Sequence, residues 1–271
     1  MRPRVSLLMY HALVPRHEPY MARVHVEQQQ FEDQMAWLAA SGHRVIDLTE
    51  VAEVLRRPPE VKCPVVLTFD DGYASLHQAA RPVLARYGFP ATLFLTTDPV
   101  GEASYASQPG FADSAPLGDR PLTWPELREL QAAGWRIEAH GCTHRLLATL
   151  GPTEQAAELQ GSRNAIAQHL GQAPEFYAYP YGSYSRHTLQ ALGPAGYQAA
   201  CSVHTGPATP ASDPRRLPRL EVTAELDLAA FQHLVATGYL SPAAQRKAWL
   251  RNWLFRSPLL KDVLVRLAGA K

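Results

Sequence analysis

The sequence of 271 residues lacks the features that mark several protein classes. It contains only three cysteines, Cys63, Cys142 and Cys201, which are widely spaced and form no Cys-x-x-Cys pair. An odd and dispersed set of cysteines excludes a disulfide framework and argues against a zinc ribbon or a thioredoxin-like redox site. Free thiols are typical of a reducing compartment.

Long apolar runs and an excess of one charge are also missing. No eighteen consecutive apolar residues occur, so no segment has the composition of a membrane-spanning helix. The apolar stretch 5–10 is too short for the core of a signal peptide, and His11 ends it. Lys and Arg number 26 against 25 Asp and Glu, which indicates no general attraction to nucleic acid. We therefore expect a cytoplasmic protein without a nucleic-acid partner.

Short apolar runs alternate with helical patterns along most of the chain, and 46% of the residues are hydrophobic. The alternation repeats seven or eight times, which predicts an α/β fold with a mostly parallel sheet and helices outside it. This number of repeats favours a barrel over an open sheet. The segment 97–122 is rich in Gly, Pro, Ser and Asp and predicts a long surface loop. The predicted strands are 5–10, 43–46, 65–69, 91–95, 135–139, 176–179, 197–201 and 217–222, and predicted helices include 27–40, 49–57, 75–87, 153–170, 185–192 and 228–236.

The C-terminal segment differs in composition, so we predict a catalytic barrel over 1–240 and a basic amphipathic tail over 241–271. Within 245–271 there are seven Lys or Arg residues, one Asp, and the aromatic residues Trp249, Trp253 and Phe255. This composition is typical of an interfacial helix. Two interpretations are open: peripheral contact with the inner face of an anionic membrane, or packing of the tail on the barrel.

Two adjacent carboxylates, Asp70 and Asp71, follow the predicted buried strand 65–69, and Gly72 permits a sharp turn after them. In parallel α/β folds the C-terminal strand ends face the reaction site. One carboxylate can bind a cation there while the other stays available as a base. The alternative is an acidic turn without function, because Asp-Gly is common in turns.

His140 and His144 follow the predicted strand 135–139 at a spacing of four, and they can converge on one ion if the segment curls into a helical turn. Imidazole suits zinc and similar divalent ions. With 11 histidines in the chain, a chance spacing of two surface histidines is the alternative. A third strand end, the turn Tyr179-Pro180-Tyr181-Gly182, offers backbone N–H groups for a developing oxyanion.

The order of the motifs TFDDGY, HGCTH and PYG resembles that of the polysaccharide deacetylases, the NodB-like carbohydrate esterase family 4, over roughly residues 5–222. The resemblance implies an irregular (β/α)7 barrel of the NodB-homology type. It implies Asp70 as catalytic base and Asp71, His140 and His144 as metal ligands. It also implies that the backbone N–H of Tyr181 binds the oxyanion.

The chain departs from the usual family pattern at two places. Most members end the domain with a Leu-x-His motif that supplies the general acid, and the region 234–239 has none. The stretch Leu8-Met9-Tyr10-His11 looks like that of the poly-N-acetylglucosamine deacetylase branch, in which the acid comes first, so His11 is the predicted acid. A histidine that only hydrogen-bonds the backbone is the alternative.

The second departure is Ala178, where many members carry an Arg that pairs with the base. Arg219 is the predicted replacement, and a solvated strand-end Arg is the alternative. We further expect Tyr73, Pro180, Tyr181 and His204 to contact substrate.

The resemblance predicts a metal-dependent hydrolase that removes N-acetyl groups from an N-acetylated sugar in a poly- or oligosaccharide or a lipid-linked glycan precursor. Zinc is the expected divalent ion, although one carboxylate and two imidazoles also accept cobalt, nickel, manganese or iron. Two alternatives keep the fold: a catalytically silent sugar-binding protein, and an amide hydrolase for a small non-sugar substrate.

Overall fold

The computed structural model describes residues 3–19, 21–57, 62–108, 111 and 119–246. Its strands are β1 (Ser6–Tyr10), β2 (Leu13–Val14), β3 (Val26–Glu27), β4 (Val65–Asp71), β5 (Thr92–Leu95), β6 (Arg136–Ala139), β7 (Phe176–Ala178), β8 (Ala199–Thr205) and β9 (Leu217–Glu221). Its helices are α1 (Gln28–Ser41), α2 (Val51–Val54), α3 (Arg81–Tyr87), α4 (Trp124–Ala132), α5 (Pro152–Leu170), α6 (Arg186–Ala191) and α7 (Leu228–Thr237).

Seven strands close into a parallel barrel in the order β1-β4-β5-β6-β7-β8-β9, and β9 pairs with β1. The strands β2 and β3 form a separate parallel pair beside it. The closed barrel confirms the predicted (β/α)7 fold. Because all seven barrel strands are parallel, their C-terminal ends meet at one face, and the motif residues follow those ends.

Every residue of β4 is buried, and its apolar and polar side chains alternate between the two faces of the barrel wall. Leu67 and Phe69 pack in the larger apolar core, where the ring of Phe69 stacks on Tyr10 at 5.4 Å. Thr68 and Asp70 point the other way and both contact Arg219 from β9. Successive residues of β4 therefore face in turn the surrounding helices and the barrel interior.

The predicted strand 43–46 is wrong. Val45 makes only an isolated bridge to Val65, after which the chain turns into a capping box. In that box Asp47 accepts a hydrogen bond from the N–H of Thr49, and Glu50 accepts one from the N–H of Asp47. Asp47 is thus the cap of a 3₁₀ turn (Leu48–Glu50) that leads into the short α2, where the sequence predicted a helix over 49–57.

Other predicted elements differ in their bounds. The helix predicted over 75–87 opens with a π-helical turn, Leu76–Ala80, before α3, in whose first turn Pro82 lies and donates no backbone hydrogen bond. The strand β8 continues to Thr205 rather than ending at 201. Within the predicted loop 97–122 the structure has a 3₁₀ turn, Tyr105–Ser107.

Parts of two predicted segments lie outside the described residues, namely 109–110 and 112–118 of the loop and 247–271 of the basic tail. Among the residues that are described, no helix combines the length and apolarity needed to cross a membrane.

Candidate metal and active site

A cavity of about 340 Å³ opens at the C-terminal ends of the barrel strands. Seven residues predicted from the sequence line it: His11, Asp70, Asp71, Tyr73, His140, His144 and Tyr181. Tyr179, from the predicted turn 179–182, also lines the cavity, as do four residues that were not predicted: His25, Phe111, Val203 and Glu221.

Asp71, His140 and His144 form the cluster of potential metal donors, with one donor atom of each within 4.8 Å of the others. Oδ1 of Asp71 lies 3.5 Å from Nε2 of His140 and 3.2 Å from Nε2 of His144. Two ligands of a tetrahedral ion at ordinary bond lengths are about 3.4 Å apart, so the spacing fits a shared cation. Oδ1 of Asp71 is enclosed and accepts no hydrogen bond, which also suits a metal ligand.

His140 is oriented by the neighbouring strand. Its Nδ1 lies 2.8 Å from the carbonyl oxygen of Ala178, to which it donates if that nitrogen carries the proton. The Nε2 lone pair then points toward Asp71, an arrangement common among metal-binding histidines. Burial lowers the pKa of His140 to about 4 despite the nearby carboxylates, so the imidazole is neutral, as a ligand must be.

The segment between the two histidines is not a helical turn, contrary to the geometry expected from their spacing. Gly141 (φ +84°) and His144 (φ +58°) both adopt left-handed conformations. The left-handed backbone favours glycine at position 141, and a Cβ there would also lie 2.9 Å from Oε2 of Glu158 on α5. The same Oε2 accepts hydrogen bonds from the N–H groups of Cys142 (2.7 Å) and Thr143 (3.1 Å). Glu158 therefore holds the loop that brings the two imidazoles together.

Asp70 faces the barrel interior and forms a two-pronged ion pair with Arg219. Both guanidinium nitrogens of Arg219 lie 2.7 Å from a carboxylate oxygen of Asp70. Arg219 is 1% exposed, so it is not a solvated strand-end residue. Burial raises the pKa of Asp70, but the charge and hydrogen bonds of Arg219 outweigh this effect and lower the pKa to about 2. The carboxylate is therefore ionised throughout the physiological range.

Two imidazoles that lie outside the donor cluster also line the cavity. His11 follows β1, and His25 precedes β3. The Nδ1 atom of each is enclosed by protein and has no hydrogen-bond partner. His25 was not predicted, because the segment 15–25 carries neither an apolar period nor a motif.

Aromatic rings surround the donor cluster. The ring of Phe111 stacks on that of His144 with 4.5 Å between the ring centroids. The ring of Tyr181 also contacts His144, at 4.6 Å between centroids. Tyr181 is 57% exposed and has a left-handed backbone (φ +56°). Tyr73 is buried, with its ring 4.8 Å from that of Tyr105.

Two of the residues expected to contact substrate do not line this cavity. Pro180 is buried in the 3₁₀ turn Pro180–Gly182. Because β8 continues to Thr205, Val203 lies on the cavity and the next residue, His204, lines a separate one. Nε2 of His204 lies 3.1 Å from the hydroxyl of Tyr184.

Comparison with known proteins adds sequence and fold relationships to this geometry. The chain is 29% identical to YxkH of Bacillus subtilis over 230 residues, which cover 84% of this chain and 75% of that protein. It is 27% identical to the poly-beta-1,6-N-acetyl-D-glucosamine N-deacetylase of Staphylococcus aureus over 222 residues, 78% of this chain and 70% of that one.

Two solved structures share the fold. Streptococcus pyogenes deacetylase PplD in complex with acetate matches with a TM-score of 0.73 and 24% identity over 89% of this chain and all of that one. IcaB from Ammonifex degensii matches with a TM-score of 0.69 and 21% identity over 87% and 97% of the two chains. The family profile for polysaccharide deacetylases matches residues 57–200, more than half of the sequence. This chain therefore belongs to the polysaccharide deacetylase family.

Proposed function

We propose that this protein is a metal-dependent N-deacetylase that removes acetyl groups from N-acetylated sugar units of a poly- or oligosaccharide or a lipid-linked glycan precursor. The observation that carries the proposal is the placement of an Arg-held carboxylate, Asp70, beside the donor cluster of Asp71, His140 and His144 in one cavity. A metal-dependent hydrolase needs a base next to an open electrophilic centre, and the carboxylate of Asp70 beside a set of potential metal donors supports this arrangement.

Asp71, His140 and His144 would hold the divalent ion. Two neutral imidazoles and one carboxylate favour zinc, with cobalt, nickel, manganese and iron as further candidates. Three protein ligands leave positions open, as catalysis requires. When bound, such an ion supplies Lewis acidity, which polarises a carbonyl oxygen and makes water more acidic.

Asp70 is the proposed base, which takes a proton from the attacking water. Arg219 keeps its carboxylate ionised and fixes both oxygens, because the guanidinium fork matches the carboxylate geometry. Thr68 lies 3.3 Å from the same guanidinium, and the carbonyl of Ser202 accepts from its Nε at 3.2 Å. Arg219 is thus a positioning residue that acts through Asp70.

Tyr181 and His11 complete the proposed reaction. The backbone N–H of Tyr181, in a turn that contacts His144, is proposed to stabilise the negative charge that develops on the acetyl oxygen. His11 is proposed to donate a proton to the leaving amine nitrogen, for which a group at the cavity wall is required. The products are acetate and a free amino sugar.

The similarity to a Staphylococcus aureus enzyme named for poly-beta-1,6-N-acetyl-D-glucosamine supports a β-1,6-linked N-acetylglucosamine chain as the first substrate to test. Aromatic side chains at the cavity, Tyr73, Tyr179 and Tyr181, supply flat apolar surfaces of the kind that ligand sites use around a few polar groups.

The test compares acetate release and bound metal in the purified wild type and two variants. Asp70→Asn should lose activity by orders of magnitude and retain metal, because the base is lost and the donor cluster is intact. His140→Ala should lose both metal and activity. His187→Ala, at an exposed position on α6, is the matched control and should change neither. Wild-type rates in Asp70→Asn would contradict the assignment of the base, and full metal content in His140→Ala would contradict the ligand set.

A further inference from the structure

His25 is a buried imidazole in the cavity for which the proposed reaction has no use. Its residue is 2% exposed, and its ring lies edge-on to Tyr73 at 5.8 Å. Its Nδ1 is enclosed by protein and makes no hydrogen bond, so a ligand in the cavity can reach the imidazole only through Nε2. No group among the described residues pairs with Nε2, which leaves this nitrogen for a ligand.

The backbone around His25 is held in place from both sides. The N–H of His25 donates to the carbonyl of Ala22 at 3.0 Å. Arg23 forms an ion pair of 2.6 Å with Glu221, which also lines the cavity, and its carbonyl accepts from the N–H of Ala224 at 2.8 Å. Several contacts therefore fix the segment against β9 and the chain that follows it, so the imidazole is presented in a prepared position.

The imidazole of His25 is also neutral. Burial, with a further contribution from the charge of His11, lowers the pKa of His25 to about 4. The Nε2 of a neutral imidazole either donates or accepts, depending on the tautomer, and a hydroxyl group can pair with it in both cases. A carboxylate or phosphate suits a neutral imidazole less, because the ring carries no positive charge.

We propose that His25 is a specificity-determining residue that hydrogen-bonds the ring hydroxyl next to the acetamido group of the substrate sugar. This rests on the proposed function, in which His11 serves the leaving nitrogen. His25 and His11 line the same cavity. The group nearest to an amine on a sugar ring is the hydroxyl on the adjacent carbon, so an imidazole beside the acid meets that hydroxyl.

The first test replaces His25 while preserving the rest of the cavity. His25→Phe keeps a flat ring and removes both nitrogens, whereas His25→Gln places an amide nitrogen near the original Nε2. On a β-1,6-linked N-acetylglucosamine oligomer, we expect about a tenfold loss of kcat/KM for His25→Phe, the loss that one hydrogen bond produces, and partial recovery for His25→Gln. Metal content should not change, and the melting temperature of His25→Phe should be equal or higher because an unpaired polar group is gone.

His233→Phe, the same change at an exposed position of α7, is the control and should leave kcat/KM unchanged. A lower melting temperature together with lost activity in His25→Phe would assign His25 a structural role and overturn the proposal. Wild-type kcat/KM in His25→Phe would overturn it as well.

The second test changes the substrate. In an oligomer whose ring hydroxyl next to each acetamido group is replaced by hydrogen, the wild type should lose about tenfold in kcat/KM, and His25→Phe should lose nothing further. Equal losses in both proteins would show that His25 does not contact this hydroxyl.

Binding of the same oligomers by metal-free protein, measured by calorimetry, and acetate release by metal-loaded protein together separate the inference from the proposed function. If the metal-loaded wild type releases no acetate, while the metal-free wild type binds the oligomer more tightly than His25→Phe does, the catalytic proposal fails and the role of His25 stands. If the wild type neither binds nor hydrolyses the oligomer, both fail.

Discussion

Replacement of Arg219 by methionine should destabilise this protein by about 3–5 kcal/mol at neutral pH, the usual cost of leaving a buried charge without its partner. Methionine keeps much of the side-chain length and packing but removes the guanidinium. Asp70, which is 2% exposed, would then lose both 2.7 Å contacts. Arg219→Lys should recover only part of the loss, because one ammonium cannot bind both carboxylate oxygens in the same way.

A double-mutant cycle isolates the pair from the packing of the arginine stem, which lies over the ring of Phe94. The four proteins are the wild type, Arg219→Met, Asp70→Asn and the double variant, and the measurement is urea unfolding at pH 7 without metal. If the buried charge causes the loss, Asp70→Asn should restore much of the stability that Arg219→Met removes. Additive effects of the two substitutions would refute this account of the ion pair.

The pH dependence of the free energy of unfolding independently tests whether the ion pair of Asp70 and Arg219 stabilises the folded state. In the wild type the pKa of Asp70 falls from 3.8 to about 2 on folding, which corresponds to about 2 kcal/mol of stability. Because the folded state binds the proton less tightly, this contribution is complete above pH 3.8 and is lost as the pH falls toward 2. In Arg219→Met, burial raises the pKa of Asp70 and the charge of Arg219 no longer opposes this rise, so Asp70 should instead add stability as the pH falls. Parallel pH profiles for the two proteins would contradict the reasoning.

Glu158→Gln should weaken metal binding about 10- to 100-fold, because the carboxylate that holds the loop between the histidines is lost. Metal titration at fixed pH measures the affinity, and an unchanged affinity would show that Glu158 does not position the ligands. Gly182→Ala should lower the stability by about 1–3 kcal/mol, because the backbone is left-handed (φ +64°) and a Cβ would clash with Cγ2 of Val203. An unchanged melting temperature would show that the turn adapts. The pKa of His25 falls from 6.5 to about 4 on folding, so the unfolded chain binds the proton more tightly. The wild type should therefore lose up to about 3 kcal/mol of stability as the pH falls from 6.5 to 4. The stability of His25→Phe should depend less on pH over this range, and identical profiles would argue against a neutral buried imidazole.

Local pattern predicted most of the barrel strands, because each is a short apolar run between turn residues. It failed at 43–46, where residues of suitable composition make one bridge and no strand. The polar neighbours Asp47 and Glu50 satisfy the backbone in a capping box, so a local hydrogen-bond alternative wins over strand pairing. The end of β4 was also misjudged, because Asp70 and Asp71 have low strand propensity and are held in the strand by pairing with β5.

The candidate site was also predictable only in part from the sequence. The residue types and spacing of Asp70, Asp71, His140 and His144 were visible in the sequence, and the resemblance of the motifs to a known family suggested a role for each. Their convergence through left-handed backbone at Gly141 and His144 was not visible, since the spacing of four residues pointed to a helical turn.

By itself, the sequence determined the α/β alternation, the motif residues and the family, because these depend on the order of residues along the chain. Only the tertiary structure decided that Arg219 pairs with Asp70, since barrel closure brings together residues that lie 149 positions apart. It also decided that Val203 rather than His204 lines the cavity, because β8 extends to Thr205 and neighbouring residues of a strand point to opposite faces. His25 reached the cavity for a similar reason: contacts with β9 and the residues after it position a segment that has no local pattern of its own.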